Sequence, residues 1–383
     1  VLMNMKKLAI AFSILVMLPV VAAAQQPLAF TVSENVTYDD NIYLTKDDTK
    51  GSVISTTRVG AQYAANIPGS GLELSANALV GYNAYTEKPS TNNYWDTLAG
   101  VQLQNDYMKL GDRFIYTSDP ANSALTDRAK RVQNVGYLAL KTSTEKTFGL
   151  GITAEDIFDR YMKSTWDSLN RNRVNLGAQA FYNVSPKTNF FVEYVYSDIH
   201  YADNDVNNST GGSVGLGVNG QLASKVTGTA KVTYDMRDYK NDLAGAKNYN
   251  DMVGYLAALE WQPTEQNVIK LSGQRQMEET TAYVGNPNRY FADTLVSLYG
   301  SQKIYDKWTA SLTLSWENMN YSREYSDGTK RNDDLWSVRP ALDYQFEKWL
   351  SAGVWYQFRT RDSNEDWAKY DRNQFGIYAK ALF

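Results

Sequence analysis

The residue types that most often do chemistry are scarce in this chain. It has a single histidine, His200, and no cysteine. One imidazole cannot build a multi-histidine metal centre, and the lack of thiols removes disulfides, Cys ligation and Cys nucleophiles. A Ser–His–acid site would have to use His200 with Asp198, two residues earlier on the same face of an extended segment. The sequence places no third group beside them, so His200 reads as a surface residue next to a loop and the chain is not read as an enzyme. Asp39, Asp40, Asp47 and Asp48 could offer oxygens to a divalent cation. They lack EF-hand spacing and read as solvated loop charges. No cofactor and no metal is expected.

Other charged residues are plentiful, with Lys+Arg 38 against Asp+Glu 42 and a net charge of -4. No basic excess points to nucleic acid. Many of these charges recur at alternate positions, opposite apolar residues. In one stretch Val53, Val59, Ala61 and Tyr63 share a face, and Thr56, Arg58, Gly60 and Gln62 share the other. Later, Trp308, Ala310, Leu312, Leu314 and Trp316 oppose Thr309, Ser311, Thr313, Ser315 and Glu317. Such alternation is the mark of a strand with one apolar and one wet face. On the polar parity lie Arg58, Glu73, Lys109, Arg113, Arg173 and Glu193, then Lys231, Glu260, Lys270, Glu317, Arg339 and Arg359. Lys141, Asp235, Asp343 and Lys380 share it, as do Gly60, Gly81, Gly100, Gly136, Gly177, Gly215 and Gly254. Burying that many charges dry would be prohibitive. They are therefore expected to line water, and basic residues slightly outnumber acidic ones, which favours anionic solutes weakly.

Roughly eighteen alternating segments follow one another, each about ten residues or more, the length a tilted strand needs to cross a bilayer. Short connections (67–71, 105–106, 142–146, 185–188, 224–225, 263–266, 305–307, 347–348) alternate with longer ones rich in Asp, Asn, Ser and Thr. The chain holds 28 Tyr, 9 Trp and 13 Phe. Trp261, Trp308, Phe346 and Trp349 lie beside short connections, and Tyr38, Tyr116, Tyr234, Trp316 and Trp336 near long ones, as two interfacial girdles would require. The expected fold is all-β: a closed antiparallel transmembrane barrel of about 18 strands, with short periplasmic turns and longer extracellular loops. A mean hydropathy of -0.46 fits such a wall, whose faces average out. At the amino end Lys6 and Lys7 precede the apolar run from Leu8 to Val21 and the Ala22-Ala23-Ala24 cleavage pattern. Residues 1–24 are thus expected to be a secretory signal peptide, 25–383 the barrel, and the destination the outer membrane. Outer-membrane lipid and lipopolysaccharide become the expected partners, with a monomer favoured. No loop exceeds about fourteen residues, so the lumen is expected to be open and free of a tight constriction. Pro340 falls mid-strand, where a bulge or a shifted strand boundary is expected.

The segment Tyr38-Asp39-Asp40-Asn41-Ile42-Tyr43, the tyrosine-rich strands and the terminal Phe383 together resemble a family of outer-membrane β-barrel porins, β-barrel porin 2-like, often encoded with exopolysaccharide synthesis genes. That resemblance implies passage of a secreted polysaccharide across the outer membrane, with polysaccharide and periplasmic export components as partners. The alternatives are a passive diffusion porin for small hydrophilic solutes or oligosaccharides, and a structural or adhesive barrel. Phe383, which closes the row Phe375, Ile377, Ala379 and Ala381, resembles the terminal signal read by the outer-membrane assembly machinery. Asp198-x-His200 resembles half of the omptin protease site, but omptins are much smaller barrels and need a second acidic pair.

Overall fold

The computed structural model describes residues 27–124, 128–142, 146–242, 247–280, 289–324 and 328–383. The expected signal peptide lies outside the described residues. Among those residues the chain forms eighteen strands, beginning with β1 (Leu28–Asp39), β2 (Ser52–Ile67), β3 (Leu72–Tyr85), β4 (Tyr94–Gln104), β5 (Met108–Thr117) and β6 (Arg131–Lys141). The wall continues through β7 (Phe148–Tyr161), β8 (Arg171–Ser185), β9 (Thr188–Tyr201), β10 (Ser209–Ala223), β11 (Val226–Tyr239) and β12 (Tyr249–Thr264). It ends with β13 (Asn267–Glu279), β14 (Tyr290–Tyr305), β15 (Trp308–Glu324), β16 (Lys330–Glu347), β17 (Leu350–Ser363) and β18 (Tyr370–Leu382). Each strand pairs antiparallel with its sequence neighbours, and β1 pairs with β18. The sheet is therefore closed and leaves no free edge.

The ladder fixes which side chains share a face. Val32 stands opposite Val59 and Ala381, and Leu216 opposite Val192 and Val232. Leu216 and Val232 are 62% and 58% exposed, and the same parity carries Phe148, Leu150, Trp261, Trp308, Trp336 and Phe346, all exposed, with exposed Trp349 in the turn beside them. An apolar band of that extent is stable only against lipid. Trp308–Tyr344 and Trp349–Phe383 ring contacts reinforce the girdle at the short-turn rim, and Trp316–Trp336 does so near the long loops. A few outward positions are polar, and side-chain partners satisfy them. Glu34 accepts hydrogen bonds from Ser55 Oγ at 2.6 Å and Thr57 Oγ1 at 2.5 Å, and Asp112 accepts one from Asn134 Nδ2 at 2.9 Å. In lipid an unpartnered group would cost several kcal/mol.

Two expectations about the wall need correction. Gly136 stands between Asp112 and Asp156 on the outward face, not the inward one. In β6 the inward face carries Val135, Tyr137 and Ala139, so apolar residues occupy both faces and the alternation is weak. Pro340 neither bulges nor moves a boundary. It pairs with Leu312 of β15, and the register with β17 runs unshifted from Val338–Phe358 to Ala341–Trp355. The missing N–H leaves Arg339 and Pro340 without ladder partners on the β17 side, and a side-chain bond from Gln357 Nε2 to Ser337 Oγ bridges the strands just above. Register shifts do occur, but mostly beside short turns, as at Gln221/Ala223, Trp261/Thr264 and Lys303/Tyr305. There they add the local twist that a tight return requires.

The alternation of long and short connections sets the expected topology. Cysteine placed at Lys46 should react with an impermeant maleimide in intact cells, whereas cysteine at Lys225 or Lys348 should react only after the outer membrane is opened. Labelling of Lys225→Cys in intact cells would reverse the assignment. Asp127 and Asp327, two further loop-side positions, lie outside the described residues.

Candidate functional site: the lumen and its narrowing

All twelve charged positions read from the alternation stand on the face opposite the exposed apolar one, spread around the wall rather than gathered in one cluster. Arg58, opposite Ser33 and Gly81, pairs with Asp96 at 3.0 Å. Glu73 accepts from Gln104 Nε2 at 3.3 Å, and Lys109 stands 5.6 Å over the Tyr137 ring. Arg113 faces Gly100 and Val135. Glu193 pairs with Lys231, and Glu260 pairs with Lys270 at 2.9 Å, the two pairs among the twelve that the fold brings together. Arg173 meets Glu279, and Glu317 accepts from Ser123 Oγ at 2.8 Å. Arg339 stacks 4.4 Å from the Trp355 ring centre, and Arg359 stands opposite Ser337 and Arg372.

The contact to Ser123 overturns the expectation of an unobstructed lumen. Ser123 belongs to the connection that leaves β5, of which residues 118–124 and 128–130 are described, and it meets side chains that reach in from the far wall. There Ser123 bonds to Glu317 of β15, and its carbonyl accepts from Arg361 of β17. Ala124 packs on the buried cluster Phe291, Met319 and Tyr321. Behind it, Asp119 accepts from Tyr94 Oη at 2.8 Å, the Arg128 guanidinium lies 4.6 Å over the Tyr85 ring, and Ala129 packs with Tyr161, Trp166 and Leu169. Burial disfavours the Arg128 charge, yet Tyr85, Tyr94 and Asp119 hold its pKa above the ordinary range. Chain geometry explains the reach. A barrel of this strand number has a radius of roughly 18 Å. About six extended residues span about 20 Å, so even a loop of this length goes in and returns.

A second element enters from β13 and β14. The β12–β13 ladder stops at Tyr255–Arg275, although β12 continues to Tyr249 and β13 stays paired with β14 up to Glu279–Tyr290. Beyond that point β13 is paired with β14 alone, and β14 stays paired with β15 as far as Phe291–Tyr321. Glu279, 2% exposed, accepts from Arg171 Nη1 at 2.7 Å and from Arg173 and Arg237. Arg171 also meets Asp159 at 3.2 Å, and Asp159 lies 3.6 Å from Arg131. Arg289 anchors the base of the tip: it donates to Asn248 Oδ1 at 2.8 Å and lies 4.7 Å over Tyr239. Burial lowers its pKa.

The sequence reading stopped short of these groups. Arg171, Arg237 and Arg361 continue the inward parity of their strands by one more step toward the long loops, and Arg372 shares the parity of Lys380 at the other end of β18, so following the alternation that far would have found them. Nothing periodic marks Glu279 or Ser123.

The Tyr38–Tyr43 segment closes the barrel rather than lining it. Asp39, fully buried, receives two 3.0 Å bonds from Arg372 Nε and one of 3.1 Å from Gln374 Nε2. Asp40 accepts from the Asn373 backbone at 2.7 Å and side chain at 2.8 Å. Buried Asn41 donates to the carbonyls of Thr45 at 2.7 Å and Asp371 at 2.8 Å, and Ile42 packs with Ile54, Tyr85 and Tyr94. These carboxylates are thus engaged with protein donors. At the other rim Phe383 exchanges backbone bonds of 3.0 and 2.9 Å with Phe30. His200 and Asp198 stand on the outward face near the long loops, opposite Asn172 and Val174, and Asp198 pairs with Lys240 at 3.0 Å.

Comparison with known proteins agrees with this architecture. No curated protein is similar enough in sequence to match. Solved outer-membrane channels match along nearly their whole length. OccAB3 of Acinetobacter baumannii has 8% identity and a TM-score of 0.51, over 94% of this chain and 100% of that one. OpdL of Pseudomonas aeruginosa has 14% identity and a TM-score of 0.50, over 94% and 100%. OpdK of the same organism, solved with vanillate, has 10% identity and a TM-score of 0.50, over 93% and 99%. At these identities the likeness shows the fold. The family model described as "Putative beta-barrel porin 2" matches residues 30–382, and the chain belongs to that family of outer-membrane β-barrel porins.

Proposed function

We propose that this porin is a passive diffusion channel for small hydrophilic solutes, with anions favoured. The observation that supports this reading is the obstruction of the lumen by Ser123, which meets Glu317 and Arg361 of the opposite wall, together with Glu279, which reaches Arg171. A long polysaccharide strand needs free width over the whole height of the barrel, so export of such a chain fits less well. Small-solute passage also accords with the OpdK structure containing vanillate. The preference for anions rests on the inward face of β16 and β17, where Arg331, Arg339, Arg359 and Arg361 face Asp333 and Asp343, while Arg372 of β18 is held by Asp39. Fixed guanidiniums in a wet channel raise the local concentration of anions.

The test is liposome swelling with the purified barrel. Monosaccharides and small carboxylates should enter, carboxylates faster than their neutral analogues of equal size, and dextrans should stay out. Entry of dextran at a rate near that of glucose would restore the polysaccharide reading.

A further inference from the structure

We infer that the outward loop-side rim of β6 to β9, centred on Lys130 and Arg160, is a docking site for the phosphates of lipid A, the membrane anchor of lipopolysaccharide. Arg160 stands directly opposite Val132, and Val132 opposite Tyr116 of the loop-side aromatic girdle. Arg160 therefore sits at the level where lipid headgroups begin. Lys130 precedes Val132 by one outward step, and its carbonyl accepts from the Met162 backbone at 2.8 Å. Lys130 and Arg160 are thus diagonal neighbours on one face, roughly 7 Å apart at their α-carbons. Both are exposed, as are Met162 and Lys163, which follow β7. His200, the chain's single histidine, stands on the same face two strands on, opposite Asn172, or about 10 Å along the rim.

The carboxylates close to this rim are committed elsewhere. Asp159 faces the lumen, with Arg171 at 3.2 Å and Arg131 at 3.6 Å. Asp167 accepts from Asn170 Nδ2 at 3.2 Å, and Asp198 pairs with Lys240. Asp156 lies two outward steps below Arg160, with exposed Phe158 between them. Among the described residues no carboxylate pairs with Lys130 or Arg160. Farther around the same rim the outward positions carry Asp238, Asp251, Asp334, Asp362 and Asp371, and Lys240 and Lys369 there are already paired. A phosphate is repelled on that side and attracted on this one. Below the two cations Phe158, Leu176 and Tyr196 are exposed, and Ala178 and Ala180 of β8 form a shallow trough between Leu150 and Ile152 on one side and Val192 and Tyr194 on the other. Interfacial cations above an apolar trough suit a phosphorylated, acylated lipid: guanidinium and ammonium take phosphate oxygens, and the trough takes an acyl chain. The long connections place this rim in the outer leaflet, which lipopolysaccharide occupies.

The experiment uses the full-length barrel in detergent, shown to be folded by heat-modifiability. The probes are diphosphorylated lipid A, phosphatidylglycerol and inorganic phosphate, and bound lipid is counted by native mass spectrometry across a titration. The parent should bind lipid A at least about five-fold more tightly than phosphatidylglycerol, and Lys130→Ala/Arg160→Ala should lose that margin. Lys187→Ala, which removes an exposed lysine at the short-turn rim, should bind like the parent. If Lys130→Ala/Arg160→Ala binds like the parent, the assignment is overturned, and so it is if the parent binds both lipids equally. Release of lipid A by millimolar inorganic phosphate would mark a free-anion site and overturn it too. Labelling of Lys225→Cys in intact cells would put this rim in the periplasm and end the lipid A assignment, whatever the titration shows. Neither measurement passes a solute through the pore, so both stand apart from the channel reading.

Discussion

Removing residues 121–129 and joining the ends with glycines should raise single-channel conductance by at least about two-fold and admit larger sugars in swelling assays. Conductance through a wet pore is set by its narrowest section. The expectation places that section where Ser123 meets Glu317 and Arg361 across the lumen. The deletion also removes Ala129 from its packing on Tyr161, Trp166 and Leu169, so the folded fraction must be checked on a semi-native gel. A gentler variant, Ser123→Ala with Glu317→Ala, cuts the anchor alone. It should increase current fluctuations more than mean current. If the deleted protein is folded and conducts like the parent, the narrowing does not control flow.

Asp39→Ala should be the most destabilising single change in the barrel. It leaves the Arg372 guanidinium without its carboxylate and frees Gln374 and the Asn41 backbone N–H, which donates to Asp39 Oδ1 at 3.1 Å. Removing one partner of a buried ion pair costs about 3–5 kcal/mol, and the nearby lumen water places this site near 3. Urea-unfolding midpoints in detergent should fall accordingly, with little change in the slope. Asp39→Asn should recover part of the loss, since an amide still accepts. A loss of unfolding free energy below about 0.5 kcal/mol would show that the seam does not depend on this pair.

The barrel itself was legible because a wall strand repeats every two residues, and Val53–Tyr63 or Trp308–Glu317 display both faces within one segment. The girdles were legible for the same reason. Gly136 was misplaced because β6 is apolar on both sides. Pro340 was expected to distort the strand, but the wall tolerates it by leaving two ladder positions empty. The narrowing was not legible. Ser123 meets Glu317 across 194 residues of chain and Arg361 across 238, and contacts so remote leave no periodic trace. Loop length was taken as a bar to insertion, yet reach is set by extended backbone rather than by residue count. The Tyr38–Tyr43 segment was noticed for its pattern, but its role appeared only when Asp371, Arg372 and Asn373 were placed beside it.

The β1–β18 seam also dictates an order of events. Every other hairpin in the wall joins strands that are neighbours in sequence, so each can form as soon as its own residues are available. The seam joins residues such as Asp39 and Arg372, 333 apart. Measured against the unfolded chain, closing a loop of that length costs about 5 kcal/mol, against under 2 for a short turn. Closure therefore cannot nucleate the barrel and must come last, after β18 has been delivered. Until then β1 and β18 are two open edges with unpaired amides and carbonyls, which lipid cannot satisfy. The unclosed sheet therefore carries that cost along both edges until it closes. The Asp39–Arg372 clasp at one rim and the Phe30–Phe383 bonds at the other are the contacts that end it.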